Sequence, residues 1–406
     1  MIHQRHAAIL AGMAFTILLG CGSSGDSGSS GAGSNVLTIT INPSSVCKFA
    51  NTLCTQVTVC QPGTSTCQTI SDILVDTGSS GLRIFATAIT LPLPAVHIGE
   101  CMYFGGGTDW GTVHTVDVIL GKEPAVSVPI QVIDPTFAGQ YTSAGKPPTS
   151  GGLPLPGSNI CGVTLVDPGP SQVGFNGILG VGVFQLDGGF YYNCVPLSCT
   201  AAAVPHSQQV QNPVGLLPVN NNGVIVALPS VPVSGLPSLT GSLILGIGTA
   251  SNNQPSGVTV LPTDSLGRIV THFHPSPGTS IQEVGIIDTG SNLLFFGDSL
   301  SLSIPLCPSD PDPLKDLSFL YCPPSPLHFS AVNTVSSGSP SSLVNFQIID
   351  PRPLLSAGNG VVNNLGGPTF FAGTFDWGLP FFFGRKVYVG ISGKNSVLGP
   401  GPFLAY

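Results

Sequence analysis

Two short stretches of this chain carry the same potential chemistry. Ile73-Leu74-Val75-Asp76-Thr77-Gly78-Ser79-Ser80-Gly81-Leu82 returns 212 positions later as Gly285-Ile286-Ile287-Asp288-Thr289-Gly290-Ser291-Asn292-Leu293-Leu294. In each, an apolar run ends in Asp, and Thr, Gly and Ser follow before apolar residues resume. The glycine is expected to supply a positive φ without a Cβ penalty. The unit holds one carboxylate on a tight loop at the end of a buried strand. If the two loops face each other, Asp76 and Asp288 cannot both ionise easily, so they share a proton and titrate as a coupled pair. Such a pair is a base and an acid at once.

Other arrangements are less developed. His272 and His274 form a His-x-His pair, but no Cys or carboxylate stands at a familiar metal-ligand spacing, and solvent-facing strand histidines are the expectation. No Cys-x-x-Cys occurs. A Gly-x-Ser-x-Gly elbow is absent as a strand-turn-helix unit. Gly105-Gly106-Gly107 lacks the Lys and helix of a phosphate loop. No metal and no cofactor is therefore expected.

The elements that must position the two carboxylates read as strands. Val36 to Ile41 and Gln56 to Val59 alternate like half-buried strands, Ile70 to Val75 delivers Asp76, and Arg385 to Ile391 forms another. With 53 Gly and 38 Pro in 406 residues, the composition favours many short strands and turns, and no helix longer than about three turns is evident. Residues 141–158 and 193–240 are rich in Pro, Gly, Ser and Asn, the second holding the lobe boundary near residues 210–220, and Pro308 to Asp316 and Val335 to Ser342 read as exposed loops.

Asp-Thr-Gly-Ser twice in one chain resembles the two-lobed pepsin-like aspartic proteases. Phe175-Asn176-Gly177-Ile178-Leu179-Gly180 resembles the hydrophobic-hydrophobic-Gly segment beneath that family's first catalytic loop. Pro380-Phe381-Phe382-Phe383-Gly384 is taken as its second-lobe counterpart, and Gly241-Ser242-Leu243-Ile244-Leu245-Gly246 resembles the strand opening the second half. The separations Asp76 to Gly180 and Asp288 to Gly384, 104 and 96 positions, suggest a duplicated lobe. The resemblance covers roughly Val57 to Tyr406. The whole chain is also similar to a bacterial lipoprotein family of pepsin-like proteins of uncharacterised function.

The resemblance implies an all-β fold, a two-lobed pepsin-like β-barrel/sandwich with a cleft between pseudo-symmetric lobes. It implies that Asp76 and Asp288 are catalytic and that Thr77 and Thr289 tie the loops together. Ser79 and Ser291 would bond the outer carboxylate oxygens, and the Gly78 and Gly290 amides the inner ones. Cys101 to Val113 stands where the family has its flap, with Tyr103 as the flap tyrosine and Trp110 as the alternative covering residue. Arg83 stands where the family usually has Trp, and is expected to face solvent or to pair with a flap carboxylate such as Asp109. Two functions remain: an aspartic endopeptidase cutting extended polypeptides, or a non-catalytic binding lipoprotein whose cleft holds a peptide or glycan. The intact loops favour the first. Arg83, the unusual flap and the missing pro-segment favour the second, since the stretch from Gly22 to Asn35 is short and has no Lys or Arg.

Composition agrees with an exported protein. Charged residues are only 7% of the chain against 42% hydrophobic, and a formal net charge of −8 with no basic run argues against a nucleic-acid partner. Residues 1–20 read as a signal peptide: Arg5, then an apolar run from Ala7 to Leu19, ending Leu18-Leu19-Gly20-Cys21. That ending resembles a lipobox, which implies lipidation of Cys21 and anchoring to the bacterial cell envelope, at the outer membrane or a periplasmic face. An ordinary cleaved signal that leaves Cys21 a thiol is the alternative. Residues 21–35 read as a Gly/Ser tether, residues 36–215 as the first lobe and 216–406 as the second. A monomer is expected. The ten other cysteines suggest a disulfide framework, with short separations favouring Cys194 with Cys199 and Cys307 with Cys322. Cys60 and Cys67 could bridge a hairpin, leaving Cys47, Cys54, Cys101 and Cys161 to pair among themselves.

Overall fold

The computed structural model describes residues 34–137, 167, 169–196, 198–297, 300–311 and 316–406. The signal, most of the tether, Cys21, Cys161 and the stretch 141–158 lie outside them.

The first half is a closed barrel. Strands β1 (Val36–Ile41), β2 (Cys54–Cys60), β3 (Cys67–Asp76), β4 (Ser80–Phe85), β5 (Ile98–Tyr103), β6 (Thr108–Ile119), β7 (Val126–Ile133) and β8 (Gly177–Val181) are followed by the short pair β9 (Phe190–Val195) and β10 (Ser198–Ala201). In β1 the alternation of the sequence is the alternation of burial, with Leu37, Ile39 and Ile41 inward. Neighbour by neighbour, β2, β3, β8, β4, β7 and β6 lead back to β2, so these six strands leave no free edge between them. Hairpin β5/β6 rises from this barrel.

From β1 the same sheet runs on into β12 (Leu239–Leu245), β11 (Gly223–Ala227), β21 (Lys386–Gly390), β24 (Phe403–Ala405) and β13 (Val260–Pro262). Val36 to Ile41 pairs residue by residue with Ile244 to Leu239, which joins the two ends of the chain in one sheet. The Pro-, Gly-, Ser- and Asn-rich stretch 193–240 thus contains the core strand β11 and the short β10.

The second lobe is a seven-stranded sheet of β18 (Ser341–Ile348), β17 (Leu327–Thr334), β14 (Ile269–His274), β15 (Ile281–Ile287), β20 (Thr374–Trp377), β16 (Leu294–Phe295) and β19 (Gly366–Gly367), in that order. A two-stranded hairpin of β22 (Asn395–Ser396) and β23 (Gly399–Pro400) lies apart. Its core is aromatic. Phe273, Phe296, Phe346, Phe375 and Trp377 interlock, with Phe375 stacked on Phe296 at 5.2 Å and on Trp377 at 4.1 Å. Each such side chain stabilises the lobe by roughly 1.5–3 kcal/mol through burial.

The lobes repeat one arrangement around their carboxylates. In the first, β3 pairs parallel with β8, which pairs antiparallel with β4; in the second, β15 pairs parallel with β20, which pairs antiparallel with β16. The fold is all-β and two-lobed. Helix is confined, among the described residues, to single turns such as Pro170–Val173 and Arg352–Ser356. Disulfides Cys47–Cys54, Cys60–Cys67, Cys194–Cys199 and Cys307–Cys322 staple loops and hairpins, and Cys101 is bonded to a cysteine outside the described residues.

Candidate active site

The two Asp-Thr-Gly-Ser loops meet back to back where β3 and β15 end. Each threonine amide donates to the opposite threonine hydroxyl, Thr77 N to Thr289 Oγ1 at 3.1 Å and Thr289 N to Thr77 Oγ1 at 3.0 Å. The hydroxyls then donate across the interface, Thr77 Oγ1 to Ile287 O at 3.1 Å and Thr289 Oγ1 to Val75 O at 2.7 Å. Four buried backbone groups at the loop bases are thereby satisfied by two side chains. A second tie lies nearby, where Asn51 Nδ2 donates to Asn292 O and Asn292 Nδ2 to Ala50 O.

This clamp puts the carboxyl groups of Asp76 and Asp288 in hydrogen-bond contact with each other. Gly78 N lies 2.7 Å from Asp76 Oδ1 and 3.1 Å from Asp288 Oδ1, so one amide serves both inner oxygens. Gly290 N donates to Asp288 Oδ1 at 2.7 Å. The outer oxygens take the serines, Ser79 Oγ on Asp76 Oδ2 at 2.5 Å and Ser291 Oγ on Asp288 Oδ2 at 2.8 Å. Asp76 also accepts from Ser79 N at 3.1 Å.

The glycines matter for a reason other than the expected one. Neither Gly78 nor Gly290 has a positive φ. A Cβ on Gly78 would sit 2.6 Å from Asp288 Cγ, and one on Gly290 2.8 Å from Asp76 Cγ. Close approach of each loop to the opposite carboxylate is what excludes a side chain.

A third carboxylate, which sequence reasoning missed, joins the pair. Ser291 Oγ stands 2.7 Å from Asp376 Oδ2, and Asp376 Oδ1 is sealed from solvent with no hydrogen-bond partner. Asp376 sits on β20 opposite Ile286, as Ile178 sits on β8 opposite Leu74. The second-lobe counterpart of Gly177-Ile178-Leu179-Gly180 is therefore Phe375-Asp376-Trp377-Gly378. The expected Pro380 to Gly384 segment is instead a buried aromatic turn, with Gly384 at φ +76°. Aligning the two copies two residues before each Asp is the signal that would have found Asp376. Burial first, then the neighbouring charges of Asp76 and Asp376, hold the Asp288 carboxyl well above the usual carboxylate range. Burial also pushes Asp376 up to about 7, with the Ser291 bond opposing and the Asp76 charge assisting.

Above the carboxylates lies a cleft of about 760 Å³ lined by both lobes, with Phe175, Ile178, Phe295 and Phe370 on its walls. Met102 to Gly107, the tip of hairpin β5/β6, also lines it, and Tyr103 there packs edge-on against Phe190 at 5.8 Å. Trp110 does not. It is fully buried, packed on Tyr192 at 5.4 Å and donating Nε1 to Phe137 O. Gly111 beside it serves packing, since a Cβ there would lie 1.9 Å from Val132 O.

Of the two expectations for Arg83, pairing with a hairpin carboxylate holds and exposure to solvent does not. The side chain is fully buried rather than solvent-facing, and its bonded flap partner is Glu100, not Asp109: Nη2 reaches Glu100 Oε1 at 3.2 Å and Asp187 Oδ2 at 2.5 Å. Asp109 contributes charge without a direct bond. Burial alone would lower the guanidinium's pKa, but Glu100, Asp187 and Asp109 together outweigh it, so Arg83 stays charged. Burial, followed by repulsion from Asp187, raises Glu100 well above its ordinary value despite Arg83. Burial and then Asp167 do the same to Asp109. Arg83 is thus spent on the base of the hairpin and makes no bond to the Asp76/Asp288 pair.

His272 and His274 lie half-buried on one face of β14, and His274 Nδ1 meets Thr279 O at 3.0 Å. Among the described residues the closest metal-like grouping is Cys307, Cys322 and Asp350, whose two sulfurs are bonded to each other.

The solved structure of an aspartic proteinase from Irpex lacteus is similar at 19% identity and a TM-score of 0.46, with 91% of this chain and 96% of that one covered. No curated protein matches the sequence. The family described as "Protein of unknown function (DUF3443)" matches residues 31–406, and the chain belongs to that family.

Proposed function

We propose that the chain is an aspartic endopeptidase that hydrolyses peptide bonds of extended polypeptides with a water activated by Asp76 and Asp288. The observation that carries this reading is the hydrogen-bonded carboxyl pair, supported symmetrically by its loops at the floor of a cleft spanned by a hairpin tip. Burial, then the neighbouring charges, holds the Asp288 carboxyl well above the usual carboxylate range, so the proton of the pair is assigned to Asp288.

In this arrangement Asp76 takes a proton from water as its oxygen bonds to the peptide carbon, while Asp288 gives its proton to the carbonyl oxygen. The tetrahedral diol then collapses. One of its hydroxyls returns a proton to Asp288, and the C–N bond breaks as Asp76 passes its proton to the departing nitrogen. Atoms and protons balance, and the pair returns to its starting state. The apolar walls suit hydrophobic side chains on either side of the cut bond.

The same reading places the protein outside the cytoplasm, with residues 36–215 and 216–406 as lobes and a lipid on Cys21 as the anchor to the cell envelope. The disulfides suit an oxidising compartment. Incubating the purified chain with a denatured protein from pH 3 to 7, with and without pepstatin, tests the activity. Cutting that pepstatin blocks supports the reading, whereas saturable peptide binding without cutting makes the cleft a binding site.

A further inference from the structure

Ser291 poses a proton-counting problem. Its hydroxyl has one hydrogen to donate and two lone pairs with which to accept. It lies at hydrogen-bond distance from two carboxyl oxygens, Asp288 Oδ2 at 2.8 Å and Asp376 Oδ2 at 2.7 Å. It can donate to only one of them. The other contact is a hydrogen bond only if that carboxyl carries a proton and donates it to Ser291. Three carboxyl groups, Asp76, Asp288 and Asp376, therefore form one connected chain, with a proton required on the Ser291 side in addition to the one between Asp76 and Asp288.

We propose that Asp376 is a positioning residue that holds a second proton on Ser291 and, once that proton has left, keeps the remaining proton on the Asp76/Asp288 pair by like-charge repulsion. Its place supports this. In the duplicated lobe the equivalent position is Ile178, which is apolar, so the third carboxylate belongs to one side only. The titratable groups facing Asp376 are Asp76 and Asp288, and its cross-strand neighbours Ile286 and Phe295 bring no countercharge. Burial and Asp76 keep Asp376 protonated until about neutrality. Below that, Asp376 donates to Ser291 and Ser291 to Asp288. Above it, the new negative charge two hydrogen bonds from Asp288 opposes loss of the last proton. The consequence is a site that stays singly protonated further toward neutral pH than an isolated pair.

The inference rests on the peptidase reading for its kinetic consequence alone, so the test has two arms. In the first, the full chain carrying carbon-13 at aspartate carboxyls is titrated by NMR as wild type, Asp376→Asn and Asp376→Ile. The expected wild type shows a carboxyl near the pair losing its proton close to neutrality. In both variants that signal is absent and the pair loses its last proton about one unit lower, the size expected for one nearby charge. In the second arm, the alkaline limb of the pH profile of kcat/KM moves toward acid by about one unit in both variants, whatever the change in the maximal value of kcat/KM. A purely structural role would depress kcat/KM equally at every pH. The inference is overturned if wild-type Asp376 is ionised by pH 5, a result independent of whether the variants fold, or if the pair's last titration does not move. If the wild type cuts nothing, the peptidase reading fails and the titration alone decides the role of Asp376.

Discussion

Replacing Arg83 with Met should destabilise the protein far more at pH 7.5 than at pH 4. In the wild type the guanidinium is sealed from solvent between Glu100 of the hairpin and Asp187, and its Nη1 donates to Ser80 O at 3.0 Å. Asp187 is also held by the Tyr191 hydroxyl at 2.8 Å, so it cannot swing out to water cheaply. Met fills similar volume but removes the only positive charge among the groups that act on Glu100. At pH 7.5 a buried carboxylate is left without a partner, a loss of about 3–5 kcal/mol. At pH 4 Glu100, whose carboxyl is raised well above its ordinary range, takes a proton and can donate it to Asp187, leaving roughly 1–2 kcal/mol for the missing hydrogen bonds. The variant's deficit should therefore grow by about 2–3 kcal/mol between the two pH values, from the same two principles. Urea denaturation followed by fluorescence of the buried Trp110 and Trp377 measures this directly. Equal deficits at both pH values, or a deficit under about 1 kcal/mol at pH 7.5, would show that the cluster is not a buried ion network.

Gly78→Ala pushes a Cβ to 2.6 Å from Asp288 Cγ, so cleavage should fall by about a hundredfold or more with little change in the thermal transition; an active Gly78→Ala enzyme would contradict the geometry. Thr289→Val strips a donor from Val75 O and an acceptor from Thr77 N, both buried, and should cost about 2–4 kcal/mol on denaturation as well as activity. The folded-state pKa values of Asp288, Glu100 and Asp109 are raised, so their contribution to stability is complete at acid pH and is lost as pH rises through those values. Asp264 and Asp350 are lowered by their arginines and act in the opposite sense below the normal carboxylate range, but weakly, at the surface. The melting temperature should accordingly decline from pH 5 to 8, and a rise across that interval would refute the assignment.

What could be read from the chain was what recurs locally. An apolar strand, Asp, Thr, Gly and Ser occupy ten consecutive residues in each copy, and the threonine bonds that tie the copies together stay within them. Strand alternation placed β1 and delivered Asp76 at the end of β3 for the same reason. The partners of Arg83 went unread because they stand 17 and 104 positions away, on a different strand and a different loop. Trp110 was misread because flanking glycine suggests a tip, while the register Cys101 opposite Trp110 points its ring into the cluster around Tyr192. Asp376 escaped notice because the run of phenylalanines ending in Gly384 matched the hydrophobic-hydrophobic-Gly segment expected beneath the second loop. Those phenylalanines pack between the sheets, and a carboxylate takes the strand position that an isoleucine holds in the first copy.

Peptidase activity here requires Asp76 and Asp288 to act together on one peptide bond. The direct measurement is cleavage of a denatured protein by the wild type, Asp76→Asn and Asp288→Asn, read by mass spectrometry of the fragments between pH 3 and 7. The wild type should produce new termini between apolar residues, and either variant should lose at least about a thousandfold in rate, since neither carboxyl can serve as both acid and base alone. Cleavage that survives either substitution would contradict that requirement.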